Sequence, residues 1–441
     1  MKFRGLIIAV AVLLALGGLL YWSNHHKPSE QSQSAAVSSK TSPSILKVDQ
    51  SAIAQLTLTR KGVAPVTLVK QSQGKWQITA PKDFGADQDA VSGVLSTLSN
   101  LDADRVVEDK ASDLKPYGLD DPSFTADIGL KDHGQRKVLF GDDTPAGSDV
   151  YAMLAGDSRI FTVGSYNRTS VDKSLDDLRD KEMMSVKPDK VSRVALERKG
   201  EAIEFARTKD GWQILKPQPM RADSFAVDEL VRTAAAARMD LSAKDSDHAA
   251  SEFAQGAPVA TITLTGDQGQ QTLSVRKDKE DYFARSNVVD GIYEVDSSLG
   301  TGLDKSLDDF RNKKLFDFDF EEPDKIELQA GAKSWVFTHS GSDWWSNGKK
   351  MDGADAESLV EKLRNLTATS FPNSGFSNAD LEATVTSEGG KRVEKVLFSK
   401  SGDRTLAKRE GEPSLYQLSP ATVADLISAA NAIKGAPAGA K

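Results

Sequence analysis

Cysteine is missing from all 441 residues, and that absence excludes disulfides, thiolate metal sites, cysteine nucleophiles and the acylated cysteine of a bacterial lipoprotein. Export stays compatible with it, because a chain with adequate cores needs no staples. Histidine is scarce: His25, His26, His133, His248 and His339 are the whole supply, and none has a His-x-x-x-His or carboxylate spacing suited to zinc. Gly-x-x-x-x-Gly-Lys-Ser/Thr and Gly-x-Gly-x-x-Gly are both absent, so neither an ATPase nor a dinucleotide enzyme is expected. Gly-x-Ser-x-Gly is absent too, and Ser-x-x-Lys has no supporting context. Blocks of basic charge are also lacking. The 56 Lys and Arg are interspersed with 64 Asp and Glu for a net charge of -8, which gives nucleic acid no footprint. No catalytic, cofactor-binding or metal residue is therefore expected, and no cofactor.

What is present begins at the N-terminus. Lys2 and Arg4 precede an uncharged run of 18 residues, 5–22, that as a helix would rise about 27 Å, enough to span a bilayer. Tyr21 and Trp22 close the run, which suits a cytoplasmic N-terminus with the bulk outside. The best small-residue cleavage site, Ala15-Leu16-Gly17, lies inside the run, so an uncleaved anchor is expected. Residues 1–26 are read as that transmembrane anchor and 27–44, rich in Ser, Gln, Lys and Pro, as a flexible linker.

Beyond the linker the chain repeats. A tryptophan is followed eleven residues later by an aspartate that opens an amphipathic stretch: Trp76 and Asp87, Trp212 and Asp223, Trp344 and Asp355. In the third copy Trp344 is preferred to Trp345 because it alone keeps the spacing. Before each tryptophan come period-two apolar positions that end near glycine, such as Leu56 and Leu58, Val194 and Leu196, Ile326 and Leu328. After each aspartate the apolar residues follow helical spacing, as in Val91, Val94, Leu95 and Leu98. The aspartates are read as helix caps and the tryptophans as strand-face core, since a residue type present in every copy serves the unit. Further strands follow, and the first two copies close on nearly one word, Lys173-Ser174-Leu175-Asp176-Asp177-Leu178-Arg179 and Lys305-Ser306-Leu307-Asp308-Asp309-Phe310-Arg311. Its paired aspartates are read as local ion-pair partners on a short helix. The acidic run 317–324, alternating with phenylalanine, is read as a strand-like junction.

The ordered set Trp-x-Ile, Ala-Asp, Tyr117-Gly118-Leu119-Asp120-Asp121-Pro122, Phe140-Gly141, Val150-Tyr151 and Ser-Leu-Asp-Asp-Leu-Arg resembles the bacterial domain of unknown function 4340. The second copy carries Val275-Arg276 where Phe-Gly would stand, and the third lacks the Asp-Pro and the closing word. The resemblance implies a membrane-anchored envelope protein, commonly encoded beside ABC transporter subunits similar to those associated with gliding motility. It brings no catalytic residues and no established activity.

The expected fold is α+β: three tandem repeats of roughly β3-αβ4-α with mainly antiparallel sheet, behind one N-terminal transmembrane helix. The repeats are placed at 45–187, 188–320 and 321–434, the last divergent, with a disordered tail at 435–441. The expected protein is non-enzymatic, single-pass in the inner membrane and periplasmic in bulk, an accessory subunit meeting ABC permease or ATPase subunits. A glycan- or lipid-binding module is the first alternative, with Trp335, Trp345 and Tyr282 as its candidate partner surface. An envelope hydrolase is the second, and it requires histidines or paired acids to converge.

Overall fold

Burial alternates along the strands as their sequences dictate. On Ile53–Arg60, Leu56 and Leu58 are buried while Gln55 and Thr57 face the other way. The computed structural model describes residues 42–242, 246–318 and 320–436. The chain divides into two compact units, Met1–Asp180 and Lys181–Lys441.

The first unit is built on a nine-stranded sheet. In spatial order its strands are Phe84–Gly85, Trp76–Ala80, Val66–Lys70, Ile53–Arg60, Phe124–Leu130, Gln135–Asp143, Asp149–Leu154, Ile160–Gly164 and Arg105–Glu108. The helix Gln88–Ser99 buries Val91, Val94, Leu95 and Leu98 in the same core as Leu56, Ile78 and Phe140. The opposite sheet face is polar, with Thr57 and Thr67 sharing a hydrogen bond of 3.2 Å and Lys137 set 3.3 Å from Asp127. A separate two-stranded sheet pairs Ser44–Lys47 with Asn100–Asp102 and buries Ile45 and Leu46.

The second unit holds a nine-stranded and an eight-stranded sheet, each with its own core. The nine-stranded sheet runs Met220–Arg221, Gly211–Lys216, Glu201–Thr208, Arg193–Arg198, Ala257–Gly266, Gly269–Asp278, Asp281–Ser286, Ile292–Val295, Met239–Asp240. The eight-stranded one runs Lys349–Lys350, Asp343–Ser346, Lys333–Ser340, Lys325–Ala330, Leu381–Ser387, Arg392–Ser401, Arg404–Arg409, Leu415–Leu418.

Several expectations are corrected here. The fold is mostly antiparallel β, with four sheets and, among the described residues, 44% strand against 23% helix, so the α+β description does not hold. The expected β3-αβ4-α unit misses the two-residue edge strands Phe84–Gly85, Met220–Arg221 and Lys349–Lys350, which are too short to show a period. It also misses the helix Ser246–Gln255, hidden in a polar stretch, and the small helices Ser165–Val171 and Ser297–Leu303. No helix among the described residues is long and apolar enough to cross a membrane, so the expected transmembrane helix is not seen among them. The anchor placed at 1–26, nearly all of the linker and most of the tail lie outside the described residues. The repeat boundaries move as well: Met183, Met184 and Val186 are buried in the core of the nine-stranded sheet of the second unit, and Leu315, Phe316 and Phe318 in that of the eight-stranded one. Each stretch crosses into the next core before the new strands begin.

Candidate functional site

The repeat signature has a mechanical basis in the first two copies. Trp76 and Trp212 are 8% and 5% exposed, and the residue after each capping aspartate ties down the tryptophan's backbone. The Gln88 side chain accepts from Trp76 N at 2.8 Å and donates to Trp76 O at 2.9 Å, while Ser224 Oγ accepts from Trp212 N at 2.9 Å. Asp87 caps its helix through Asp89 N and Ala90 N, and Asp223 through Ala226 N. Trp212 Nε1 also donates to Asp228 at 2.8 Å, with the Arg207 guanidinium 4.5 Å from its ring.

The third copy departs from this. Trp344 is buried, but Asp355 does not open the helix. Asp352 is the cap of Gly353–Arg364, accepting from Ala354 N at 2.9 Å and Asp355 N at 3.1 Å. Asp355 lies in the first turn and accepts from Lys434 N at 3.3 Å. The spacing of eleven is thus a coincidence of acidic residues in this copy.

The closing word makes the expected local ion pair at its first aspartate in the second copy, Asp308 with Arg311 at 3.2 Å. Its second aspartate forms a capping box, with Ser174 N donating to Asp177 at 2.9 Å and Ser306 N to Asp309 at 2.7 Å. The bonds from Ser306 hold the Asp309 carboxyl below its usual range. Arg60 grips Asp172 at 2.6 Å, and Arg198 grips Asp304 at 2.6 Å with Lys199 2.8 Å from the same carboxylate. The Lys199 bond, then Arg198, lower the Asp304 pKa against the opposing effect of burial. Sequence reasoning missed these pairs, although Asp172 and Asp304 extend the shared word by one residue.

Trp335, Trp345 and Tyr282 do not come together. Trp335 shares a strand face with buried Phe337 and donates Nε1 to Asn431 at 3.2 Å. Trp345 pairs with Thr338 on the opposite face and is 37% exposed. Tyr282 belongs to the other sheet, packed beneath Gly300, where a Cβ would lie 2.1 Å from its ring. Beside Tyr282 opens a cleft of about 560 Å³, and a second of about 750 Å³ adjoins it at Arg238 and Asp296; both are lined by interleaved acids and bases. Of the histidines, His339 lies 4.9 Å from the Trp344 ring and His248 is 3.3 Å from Glu252, while His133 is in the first unit and His25 and His26 lie outside the described residues. Among the described residues no group of three or more His, Asp or Glu could hold a metal.

Among its described residues the acidic run forms no strand. Phe318 is buried, Phe320 is 95% exposed, and Glu322 sits against Glu357, where burial and then the like charge push its carboxyl above the usual range. Its first aspartate enters a partly buried cluster of charged side chains in the second unit. Asp317 N donates to Glu394 at 3.0 Å, and Arg409 bonds Glu394 at 2.9 Å and Glu412 at 2.8 Å. Tyr416 donates to Glu412 at 2.7 Å. Arg221 pairs with Asp317 and, through Nε, with Glu412 at 2.9 Å. Burial alone would lower the Arg221 pKa, but Tyr416, Asp317 and Glu412 together raise it. Arg392, 3.6 Å from Asp317 and 3.5 Å from Glu394, completes a balanced set of three arginines and three carboxylates.

A solved structure of the calcium-stabilised adhesin with which an Antarctic bacterium reaches out and binds ice aligns at 10% identity over 85% of this chain and 84% of its own, with a TM-score of 0.08. That value carries no likeness of fold. No curated protein matches the chain. The model of the family described as "Domain of unknown function (DUF4340)" matches residues 76–220 and again 212–389, each match beginning at a repeat tryptophan. Covering well over half of the sequence, these two matches make the chain a member of the DUF4340 family.

Proposed function

We propose that this protein is a non-enzymatic, extracytoplasmic component of the bacterial inner membrane, an accessory subunit of an ABC-type transport or envelope-assembly complex. The observation that carries the proposal is the serial build of the chain. Three large sheets follow one another, each with a core of its own and a polar outer face of threonines and paired charges, such as Thr263 with Thr272 and Lys395 with Glu382. Such sheets supply broad, stiff surfaces for partner proteins. The basic start and uncharged run at 5–22 support attachment to a membrane, and the absence of nucleotide-binding motifs from the sequence leaves the motor to another polypeptide.

Crosslinking in cells followed by purification in mild detergent tests the partnership. Permease or ATPase subunits should be recovered with the full chain, and their repeated absence overturns it. Protease added to spheroplasts tests the location: the bulk of the chain should be digested, and protection until lysis counts against the extracytoplasmic placement.

A further inference from the structure

We propose that Arg221 is the bolt of an ionic latch that fixes the orientation of the eight-stranded sheet on the nine-stranded sheet within the second unit, and that salt releases it. Arg221 ends the two-residue edge strand Met220–Arg221, and its guanidinium leaves its own sheet altogether. It pairs with Asp317 and donates to the Lys314 carbonyl, both in the connecting segment. Its Nε lies 2.9 Å from Glu412, in the turn between the strands Arg404–Arg409 and Leu415–Leu418 of the following sheet, and one terminal nitrogen 3.3 Å from the hydroxyl of Tyr416, on the second of them. One side chain thereby joins the sheet before, the connection and the sheet after.

The latch has a second contact. Arg311, from the end of the closing helix, lays its guanidinium 3.7 Å from the Phe371 ring, and Phe371 meets Tyr416 edge-on at 5.5 Å. Tyr416 thus receives Arg221 directly and meets Arg311 only through Phe371. The side chains of Arg221, Asp317 and Glu412 are each 20% exposed, so their attraction is stronger than that of surface pairs yet open to screening by ions. In the first unit Gly85 holds the position of Arg221, and a Cβ there would already lie 3.2 Å from Asp180. The latch thus belongs to one junction and is not a property of the repeat. It is independent of the transport partnership proposed above.

A chain without cysteine allows two introduced thiols to be labelled cleanly. Glu197→Cys and Gln329→Cys place spin labels on exposed outer-face positions of the two sheets. In the full chain at low salt, pulsed electron resonance should give a single narrow distance distribution. Raising sodium chloride to about 1 M, where screening acts within about 3 Å, should broaden it. Arg221→Met should lose the narrow peak already at low salt and become insensitive to salt, with Arg221→Lys between the two. Tryptophan fluorescence reports that each sheet stays folded. A distribution that salt leaves unchanged in the otherwise native protein overturns the latch, as does a folded Arg221→Met that keeps the narrow peak; the salt experiment decides the matter even if that variant fails to fold.

Discussion

The closing arginines of the first two copies sit at the same place in the same word and are used differently. Arg179 lays its guanidinium 4.0 Å from Phe84, on the edge strand of its own sheet. In the next copy Met220 takes the place of that phenylalanine, and Arg311 stacks instead on Phe371, a loop residue packed in the core of the following sheet. Beside them Gly85 is replaced by Arg221. Two substitutions on one short edge strand turn an internal fastening into a fastening to a neighbour. Equivalence of position within a repeat therefore fixes what a residue supports locally, while its partner is set by which surface lies next in the chain.

The seats that receive the incoming segments differ in the same way. In the nine-stranded sheet of the second unit, Gln271 accepts from Ser185 N at 2.9 Å and donates to Ser185 Oγ at 2.9 Å, a neutral seat that satisfies both groups. Register places Glu394 at the matching position of the eight-stranded sheet and Arg409 at that of Ser286. The carboxylate is 4% exposed there and relies on its arginines. Arg409→Ser should therefore cost about 3–5 kcal/mol in urea unfolding, because it strands a buried charge. Adding Glu394→Gln, which rebuilds the neutral seat, should recover most of the loss. A double variant as weak as the single one would break the equivalence of the two seats.

A steric difference comes next in size. Gly141 lies against the Tyr117 carbonyl, where a Cβ would stand 2.1 Å away, so only glycine fits. Its counterpart in the second copy is Arg276, tolerated because the helix Ser246–Gln255 replaces the tight turn and its end accepts Arg276 donors at Phe253 O (3.1 Å) and Ala254 O (3.2 Å). Gly141→Ala should destabilise the first unit by about 1–3 kcal/mol, the usual range for overpacking. Arg276→Ala should remove only hydrogen bonds and ring contacts and cost less; equal losses would mean that the two loops are not alternatives.

Much of the scaffold could be read from the sequence because it repeats. Trp76, Trp212 and the stripe from Val91 to Leu98 are set by period and are buried. Strands of two residues have no period, and Gln88 or Ser224 reaching back to a tryptophan backbone gives no signal beyond a fixed count. The helix Ser246–Gln255 was masked by its polar composition, and the anchor lies where the structure describes nothing. The junction cluster was the least legible, since Arg221, Glu394 and Glu412 are far apart in sequence and each is an ordinary charged residue until the sheets meet. That the rings of Trp335, Trp345 and Tyr282 do not converge was illegible for a related reason: strand parity, which sends two of them to opposite faces, required the register to be known.

The caps offer a smaller contrast between the true helix start and the expected one. Asp352→Ala removes the acceptor for two free backbone N–H groups and should cost about 1 kcal/mol by urea unfolding. Asp355→Ala should cost a few tenths, in line with a first-turn acid. The reverse order would restore the spacing of eleven in the third copy. Asp87→Ala and Asp223→Ala, whose aspartates do cap at that spacing, should match Asp352→Ala.

The finest comparison is between Tyr293 and Tyr416, which hold matching positions on the last long strand of their sheets. Tyr293 donates its hydroxyl to the Asp290 carbonyl at 2.8 Å, a local turn contact, whereas Tyr416 is buried in the junction and donates to Glu412. Burial in the first place, and Glu412 with it, hold the Tyr416 pKa above the ordinary 10.0, with Arg221 pulling the other way. The folded protein thus keeps this proton more tightly than the unfolded chain does. Its contribution to stability is complete below the unfolded value near pH 10 and drains away as pH rises from there through the folded value. Lysines titrate in the same range, so the informative quantity is the stability difference between the native protein and Tyr416→Phe, followed by urea unfolding from about pH 9 to pH 11. That difference should change with pH in the direction that favours the phenylalanine variant at the alkaline end. A constant difference for Tyr416→Phe would mean that the hydroxyl is not held by the junction, and would take from the latch the group that receives Arg221.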